Sequence, residues 1–348
     1  MMPSKNHTPK VSILLPNLNT SKYLPARFES IQAQTFTDWE TIVVDSYSSD
    51  GAWELIQQYA QNDPRILISQ APREGIYAGL NRCINLAKGE YIYIATSDDT
   101  MMPNFLEEMV AALDTYTQCS LAHCCLTFID EFGKPIKPNP WDEYYSSLYY
   151  GEMLKKFHIR QAPLDGILHC FLLTAYTSLT QLLIRRSLFE KVGNFSTRYG
   201  SMADFGWGMK ASLVCDTIHI PKYLATWRRH PEQATLDADS MSPSYYYSLI
   251  EMIHEAVSLG ISANPGIERY FSRMNEMSYV YNHLAFDLQI RGAKNRLEKI
   301  PLILKIIPAQ LDIFLDRYVL RKALPDRLKY ARKIIAKFNL SRRLIQLS

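Results

Sequence analysis

The chain contains no C-x-x-C pair, no G-x-G-x-x-G turn and no uninterrupted apolar run of membrane-spanning length. Each absence closes off a class of protein. The six cysteines (Cys83, Cys119, Cys124, Cys125, Cys170 and Cys215) have neither the spacing of a zinc knuckle nor that of a simple disulfide frame. They are expected to be buried, reduced thiols of a cytoplasmic protein. The longest uncharged stretch, 167–184, is interrupted by His169, Thr174, Thr177, Ser178, Thr180 and Gln181 and is too polar to span a bilayer. Residues 1–9 lack the apolar centre of a secretory signal and are expected to be disordered. Pro16 and Asn17 stand where a dinucleotide-binding turn would carry glycines, so a nicotinamide enzyme is a poor fit.

Charge is plentiful but unevenly placed. The 38 Lys and Arg nearly balance the 35 Asp and Glu, giving +3 overall. Residues 291–348 nevertheless carry 15 Lys or Arg against Glu298, Asp312, Asp316 and Asp326, a local balance of +11 that leaves −8 on the remainder. An acidic body with a basic tail points to an anionic membrane surface as a partner of residues 300–348, with the protein peripheral at the inner face of the cytoplasmic membrane. A helical bundle packed on the body, with a solvated basic face, accounts for the same residues. The tail lacks aromatic interleaving, which argues against a nucleic-acid partner. At 348 residues and 47% hydrophobic content the chain buries a large core, as one α/β domain or as a catalytic domain with an appendage.

What is present in the first hundred residues is alternation. Val11–Leu15 is an apolar β-branched run stopped by Pro16 and Asn17, and Leu24, Phe28 and Ile31 then recur at helical spacing before the second apolar run, Trp39–Val44. Helices around Trp53, Ile56 and Tyr59 and around Leu80, Ile84 and Ala87 alternate with short strands at 65–69 and 91–95. This pattern predicts a mainly parallel sheet with right-handed crossovers, whose ligands bind beyond the carboxyl ends of the strands.

Three strand ends carry chemistry: Pro16-Asn17-Leu18-Asn19, the segment Asp45 to Gly51, and Ser97-Asp98-Asp99. Asp45 can accept hydrogen bonds from a base or ribose, while Ser48, Ser49 and Asp50 can cap the next helix; spacing alone is also satisfied by a turn and cap. Asp98 and Asp99 repel one another unless a cation or solvent screens them, and Mg2+ or Mn2+ binds one or two carboxylates together with substrate phosphates. A helix start before Pro103 would use the same pair.

These residues resemble the family 2 glycosyltransferases with the GT-A fold. VSILLPNLN, VVDSYSSDG, EGIYAGLNRCINLAKGEYIYIATSDD, TQLLIRRSLFEKVGNFS and MADFGWGMKAS are similar to five family motifs, in family order, over roughly residues 10–232. The resemblance implies an α/β GT-A catalytic domain over 10–235 and inverting transfer from a nucleotide diphosphate sugar, UDP- or dTDP-linked; beyond it the likeness fades, and residues 240–348 read from their own pattern as a basic helical region. The acceptor would be a hydroxyl of a glycan or lipid-linked molecule. By the same resemblance Pro16, Asn19, Asp45, Arg73 and Asp98 would bind the donor nucleotide. Asp99 and His230 would bind a divalent metal, Mn2+ or Mg2+, and Asp204 would be the catalytic base.

The sequence departs from the family pattern at Tyr47 (usually Gly), Ala78 (Asp), Thr96 (often Asp) and Gly206 (a second acid). Those departures motivate a rival reading, a catalytically inactive sugar-nucleotide-binding or scaffold protein. A sugar nucleotidyltransferase is the rival enzyme, but PNLNTSKYLPAR is not the Gly-rich basic loop it would need. Between 133 and 170, Trp141, Tyr144, Tyr145, Tyr149 and Tyr150, with Asp142, Glu143 and Glu152, offer faces and acceptors for a sugar, or simply a packed aromatic loop.

Overall fold

The computed structural model describes residues 7–143, 145–172, 176–231, 233, 242–271, 278, 281–282, 284–285, 288 and 327–347. Residues 1–6 and most of 272–326 lie outside that set, and with them the N-terminal expectation and much of the basic tail. Nine strands form one sheet: β1 (Val11–Asn17), β2 (Trp39–Asp45), β3 (Ile66–Gln70), β4 (Tyr91–Ile94), β5 (Cys119–Ile129), β6 (His158–Arg160), β7 (Leu182–Arg185), β8 (Asp216–Arg228) and β9 (Leu344–Gln346). Their order is β3-β2-β1-β4-β7-β5-β8-β6-β9.

β1 to β4 are mutually parallel, as the alternation predicts, and β1 and β2 are buried on both faces because α helices cover each side. β7 then enters antiparallel between β4 and β5, and β6 antiparallel between β8 and β9. The other strands share one direction, so the sheet is mainly parallel and most carboxyl ends open on one edge.

The helices are α1 (Leu24–Gln32), α2 (Ala52–Asn62), α3 (Ile76–Leu86), α4 (Phe105–Thr115), α5 (Tyr145–Tyr150), α6 (Leu164–Leu172), α7 (Ser187–Val192), α8 (Ala203–Val214), α9 (Pro243–Ala263) and α10 (Arg327–Lys337). Leu24, Phe28 and Ile31 form the buried stripe of α1. α9 packs on α8, and α10 packs on α6 with Ala331, Ile334 and Ile335 buried. All six cysteines are free thiols and buried. Among the described residues no helix is long and apolar enough to cross a membrane.

Candidate active site

The loops after β1, β2 and β3 are tied to one another. Register places Asn17 beside Asp45 at the strand ends, and Asn17 Nδ2 donates to Asp45 Oδ1 at 2.8 Å. Asp45 also accepts from the Ser48 hydroxyl (2.5 Å), the Ser48 amide (3.0 Å) and Gln70 Nε2 (3.2 Å). Burial works to raise its pKa, but these donors outweigh it and hold the carboxyl below the usual range. Asn19 bridges to the next loop: its amide donates to Ser48 Oγ, and its Oδ1 accepts from the Ser49 amide, each at 2.8 Å. Pro16 lies in the buried end of β1 against Gly79 of α3. Asp50 accepts from the amides of Ser21 and Ala52, so it holds the entry to α2 even though Gly51 is the cap residue.

Exposed Arg73 donates to the carbonyls of Ser46 and Tyr47 at 3.2 and 3.0 Å. Tyr47 itself has φ 54, the left-handed conformation that explains glycine at this turn elsewhere, and its side chain is exposed. Ser48 reaches Asp45 through the local turn, whereas Asn17 and Gln70 are brought to it by strand register, which the sequence does not show.

The second cluster forms where β4 and β8 end. Asp99 is 2% exposed; its Oδ2 accepts from the Thr96 hydroxyl (2.5 Å) and its Oδ1 from the Arg228 amide (2.7 Å). Thr96, one of the departures from the family pattern, is thus a donor to the buried acid. Burial, and then the charge of Asp98, pushes Asp99 up to about 8. Asp98 is more open and its Oδ2 lies 3.1 Å from His230 Nε2. The His230 ring packs at 4.8 Å on Tyr23, and its Nδ1 is buried with no hydrogen-bond partner among the described residues. Arg228 staples the cluster, donating from Nε to the Asp98 carbonyl at 2.6 Å and from Nη1 to those of Asp130 and Glu131. Arg27, fully buried in α1, donates to the Thr96 carbonyl at 2.8 Å and supplies positive charge behind Asp99. Sequence reasoning missed Arg27, because an arginine in a helical pattern reads as a solvated residue.

Asp204 opens α8. Its Oδ1 accepts from the Phe205 amide at 2.9 Å, and burial pushes its carboxyl up to about 6. It faces a recess lined by His169, Tyr176, Ser178, Leu179, Phe205, Trp207 and Gly208. Gly206, where the family pattern has a second acid, lies against α9: a Cβ there would stand 3.2 Å from Met252 Cγ, so close helix packing accounts for glycine. Of the aromatic candidates between 133 and 170, Trp141 and Tyr150 are core residues, 2% and 5% exposed, and Tyr150 donates to buried Asp165. Tyr149 packs edge-on against Tyr150 at 5.0 Å. Tyr144 and the side chains of 142–146 lie outside the described residues.

Polar strand ends, a buried carboxyl pair beside a histidine, and a desolvated acid at a helix start thus gather at the carboxyl ends of a mainly parallel sheet, where α/β proteins of this kind place ligand sites. The description Glycosyl transferase family 2 matches residues 12–193, and the chain belongs to that family. It is 34% identical over 130 residues to EpsE of Bacillus subtilis, covering 37% of this chain and 47% of that protein. It is 26% identical over 217 residues to a PGL/p-HBAD biosynthesis glycosyltransferase of Mycobacterium bovis, covering 61% and 75%. The chain thus spans about half the length of the first of these. Among solved structures it resembles S. aureus TarS residues 1–349 in complex with UDP (TM-score 0.58, 17% identity, 93% of this chain and 87% of that one). It also resembles the Pyrobaculum calidifontis mannosyltransferase PcManGT with GDP-Man and Mn2+ (TM-score 0.51, 15% identity, 95% and 88%).

Proposed function

We propose that the protein transfers a sugar, with inversion, from a UDP- or dTDP-sugar to a hydroxyl of a glycan or lipid-linked acceptor in polysaccharide or glycolipid biosynthesis. The observation that carries this reading is Asp204: a half-buried carboxyl raised to about 6, with Oδ1 held by the Phe205 amide and the group open toward a recess. At neutral pH it is a carboxylate of more than usual basicity. It takes the proton of the acceptor hydroxyl as that oxygen attacks the anomeric carbon. The bond from that carbon to the donor diphosphate breaks, and its electron pair leaves on the phosphate oxygen.

Asp99 and His230, with Asp98 beside them, would hold a divalent cation. The fit lies in the donor set: two carboxylates, one of them pushed up to about 8 by burial and by the other's charge, beside an imidazole with an unpartnered nitrogen. Among the described residues no three His, Cys, Asp or Glu side chains form a cage on their own, so phosphate and water would have to supply the rest of the shell of Mg2+ or Mn2+. Bound there, the ion would neutralise charge gathering on the leaving diphosphate. PcManGT carries Mn2+ with its GDP-Man, in line with such a site. Pro16, Asn19, Asp45, Arg73 and Asp98 would line the nucleotide, with Asp45 and its preset donors at the base.

The test is thermal denaturation of the full chain with UDP- and dTDP-sugars, with and without Mn2+, followed by turnover of Asp204→Asn and Asp99→Ala. A metal-dependent rise in Tm with one donor, and loss of turnover in both folded variants, is expected. No shift with any donor, or undiminished turnover in both, would overturn the proposal, and donor binding without turnover would favour the scaffold reading. A second proposal concerns location. Lys329, Arg332, Lys333 and Lys337 face solvent opposite the buried stripe of α10, and we place that face against an anionic membrane. Failure to bind anionic vesicles at low salt would end that idea.

A further inference from the structure

The short 3-10 turn Leu179–Gln181 leads into β7, and Tyr176, Ser178 and Leu179 line the same recess as Asp204. Gln181 is fully buried, and its carboxamide is paired on both sides. Oε1 accepts the amides of Thr177 and Ser178 at 2.8 and 3.1 Å. Nε2 lies 2.7 Å from the Cys124 carbonyl and 2.7 Å from His123 Nε2. Backbone amides only donate and a carbonyl only accepts, so the carboxamide has one orientation, and its second hydrogen points at His123 Nε2. That nitrogen therefore carries no proton. Burial keeps both imidazoles of the next pair neutral, so His123 bears its hydrogen on Nδ1 and donates it to His219 Nδ1 at 2.8 Å. His219 then holds its own hydrogen on Nε2, where the Leu154 carbonyl accepts it at 2.9 Å. One chain of donors runs from Gln181 through β5 and β8 and ends on a backbone oxygen.

We propose that Gln181 is a positioning residue for the acceptor: by fixing the backbone at 177 and 178 it holds one wall of the recess in the shape that presents the acceptor hydroxyl to Asp204. The inference rests on the reading of Asp204 as the base. The His123 ring supports the same wall, packing at 5.7 Å on Tyr176, another lining residue. Thr180 is anchored apart from Gln181, its hydroxyl 3.0 Å from that of Tyr93, so the turn keeps one tether when the other is cut. The donor side has separate supports: Asp45 is held by Asn17, Ser48 and Gln70, and Asp99 by Thr96 and Arg228. Loss of the Gln181 carboxamide thus loosens the recess wall and spares the nucleotide loops. A wall already held by a paired amide needs no reorganisation when the acceptor arrives.

Gln181→Met tests this, because it keeps an unbranched side chain of similar size and removes the polar atoms. With octyl glycosides as acceptors and a UDP- or dTDP-sugar as donor, kcat/KM for the acceptor should fall about tenfold while the donor KM stays at its wild-type value. Where no octyl glycoside serves, hydrolysis of the donor by water replaces transfer, and its kcat should fall likewise. Gln181→Glu, protonated in this burial, keeps an acceptor for both amides and one donor, and should recover part of the loss. Nitrogen NMR shifts of the wild-type histidines read the chain directly: the proton is expected on His123 Nδ1 and on His219 Nε2. A proton on His123 Nε2 overturns the proposal, as does a folded Gln181→Met with wild-type kinetics or with a loss shared equally by the donor KM. Thermal denaturation checks folding, and if Gln181→Met does not fold, Gln181→Glu is read against the same criteria. Asp204→Asn separates the two ideas: if it retains turnover, the base assignment itself fails, whereas a silent Gln181→Met beside an inactive Asp204→Asn removes only the positioning role.

Discussion

Asp204 titrates within the range where enzymes are assayed. A base works only when deprotonated, and its carboxyl is raised to about 6 by burial. The rate of sugar transfer should therefore fall tenfold per pH unit below about pH 6 and level off above it, as a kcat profile at saturating donor will read. A folded Asp204→Asn enzyme with an unaltered profile would contradict this. Thr96 offers a different test. Its hydroxyl pairs with one oxygen of the buried Asp99 carboxyl, the Arg228 amide with the other, so Thr96→Val leaves one oxygen without a partner. A loss of about 1–3 kcal/mol in metal-free denaturation is expected. The acids of this site were legible in the sequence because each follows an apolar strand or opens a helix. Their partners were not: Gln70 and Arg27 are polar residues whose contacts depend on neighbours far along the chain.

Among the elements, β1, β2 and β4 and the helices between them were legible because both faces of the strands are apolar and each helix carries one buried stripe. The sequence shows alternation but not spatial order, so the entry of β7 between β4 and β5 was hidden. Its apolar run, Leu182–Ile184, reads the same whichever way the strand points. The turn before β4 makes a sharper case. A Cβ on Gly89 would stand 2.5 Å from the Ser12 amide nitrogen and 2.8 Å from the Val11 carbonyl carbon, both backbone atoms of β1. The Gly89 amide also donates to Ser12 Oγ at 2.8 Å. Gly89→Ala must push β4 away from β1, and a destabilisation of about 1–3 kcal/mol by urea denaturation is expected. Because the shift would travel along β4 toward Asp98, donor affinity should drop as well. An alanine variant of wild-type stability would mean that β1 and β4 have slack here that their close approach does not show.

At the scale of the whole molecule, histidines dominate the response to acid. His123, His158 and His219 lie together where β5, β8 and β6 meet, with ring pairs at 5.1 and 4.8 Å, and His169 sits in α6. Burial lowers all four, His158 and His169 to about 3. The unfolded chain protonates these rings near pH 6.5, whereas the folded one does not, so stability is lost as pH falls from about 6.5 toward 3. Asp99 and Asp204, raised to about 8 and about 6, and Asp165 and Asp216, raised by burial, act in the opposite sense, but an ordinary carboxyl titrates near 4, so between pH 7.5 and 5 only those lifted into that window offset the four rings. The Tm measured from pH 7.5 to 5 should fall, and a flat or rising Tm would show that the imidazoles are charged in the folded state.

Strand β9 pairs with β6 in antiparallel register, Ile345 opposite Ile159. Roughly 185 residues separate the two strands, and closing so long a loop carries a large entropic cost before any contact rewards it. This seam should be the last to form as the chain folds. Until it does, the outer edge of β6 presents unpaired amides and carbonyls to other chains. The time spent with that edge open, more than the stability finally reached, will set how much of the protein escapes aggregation during refolding.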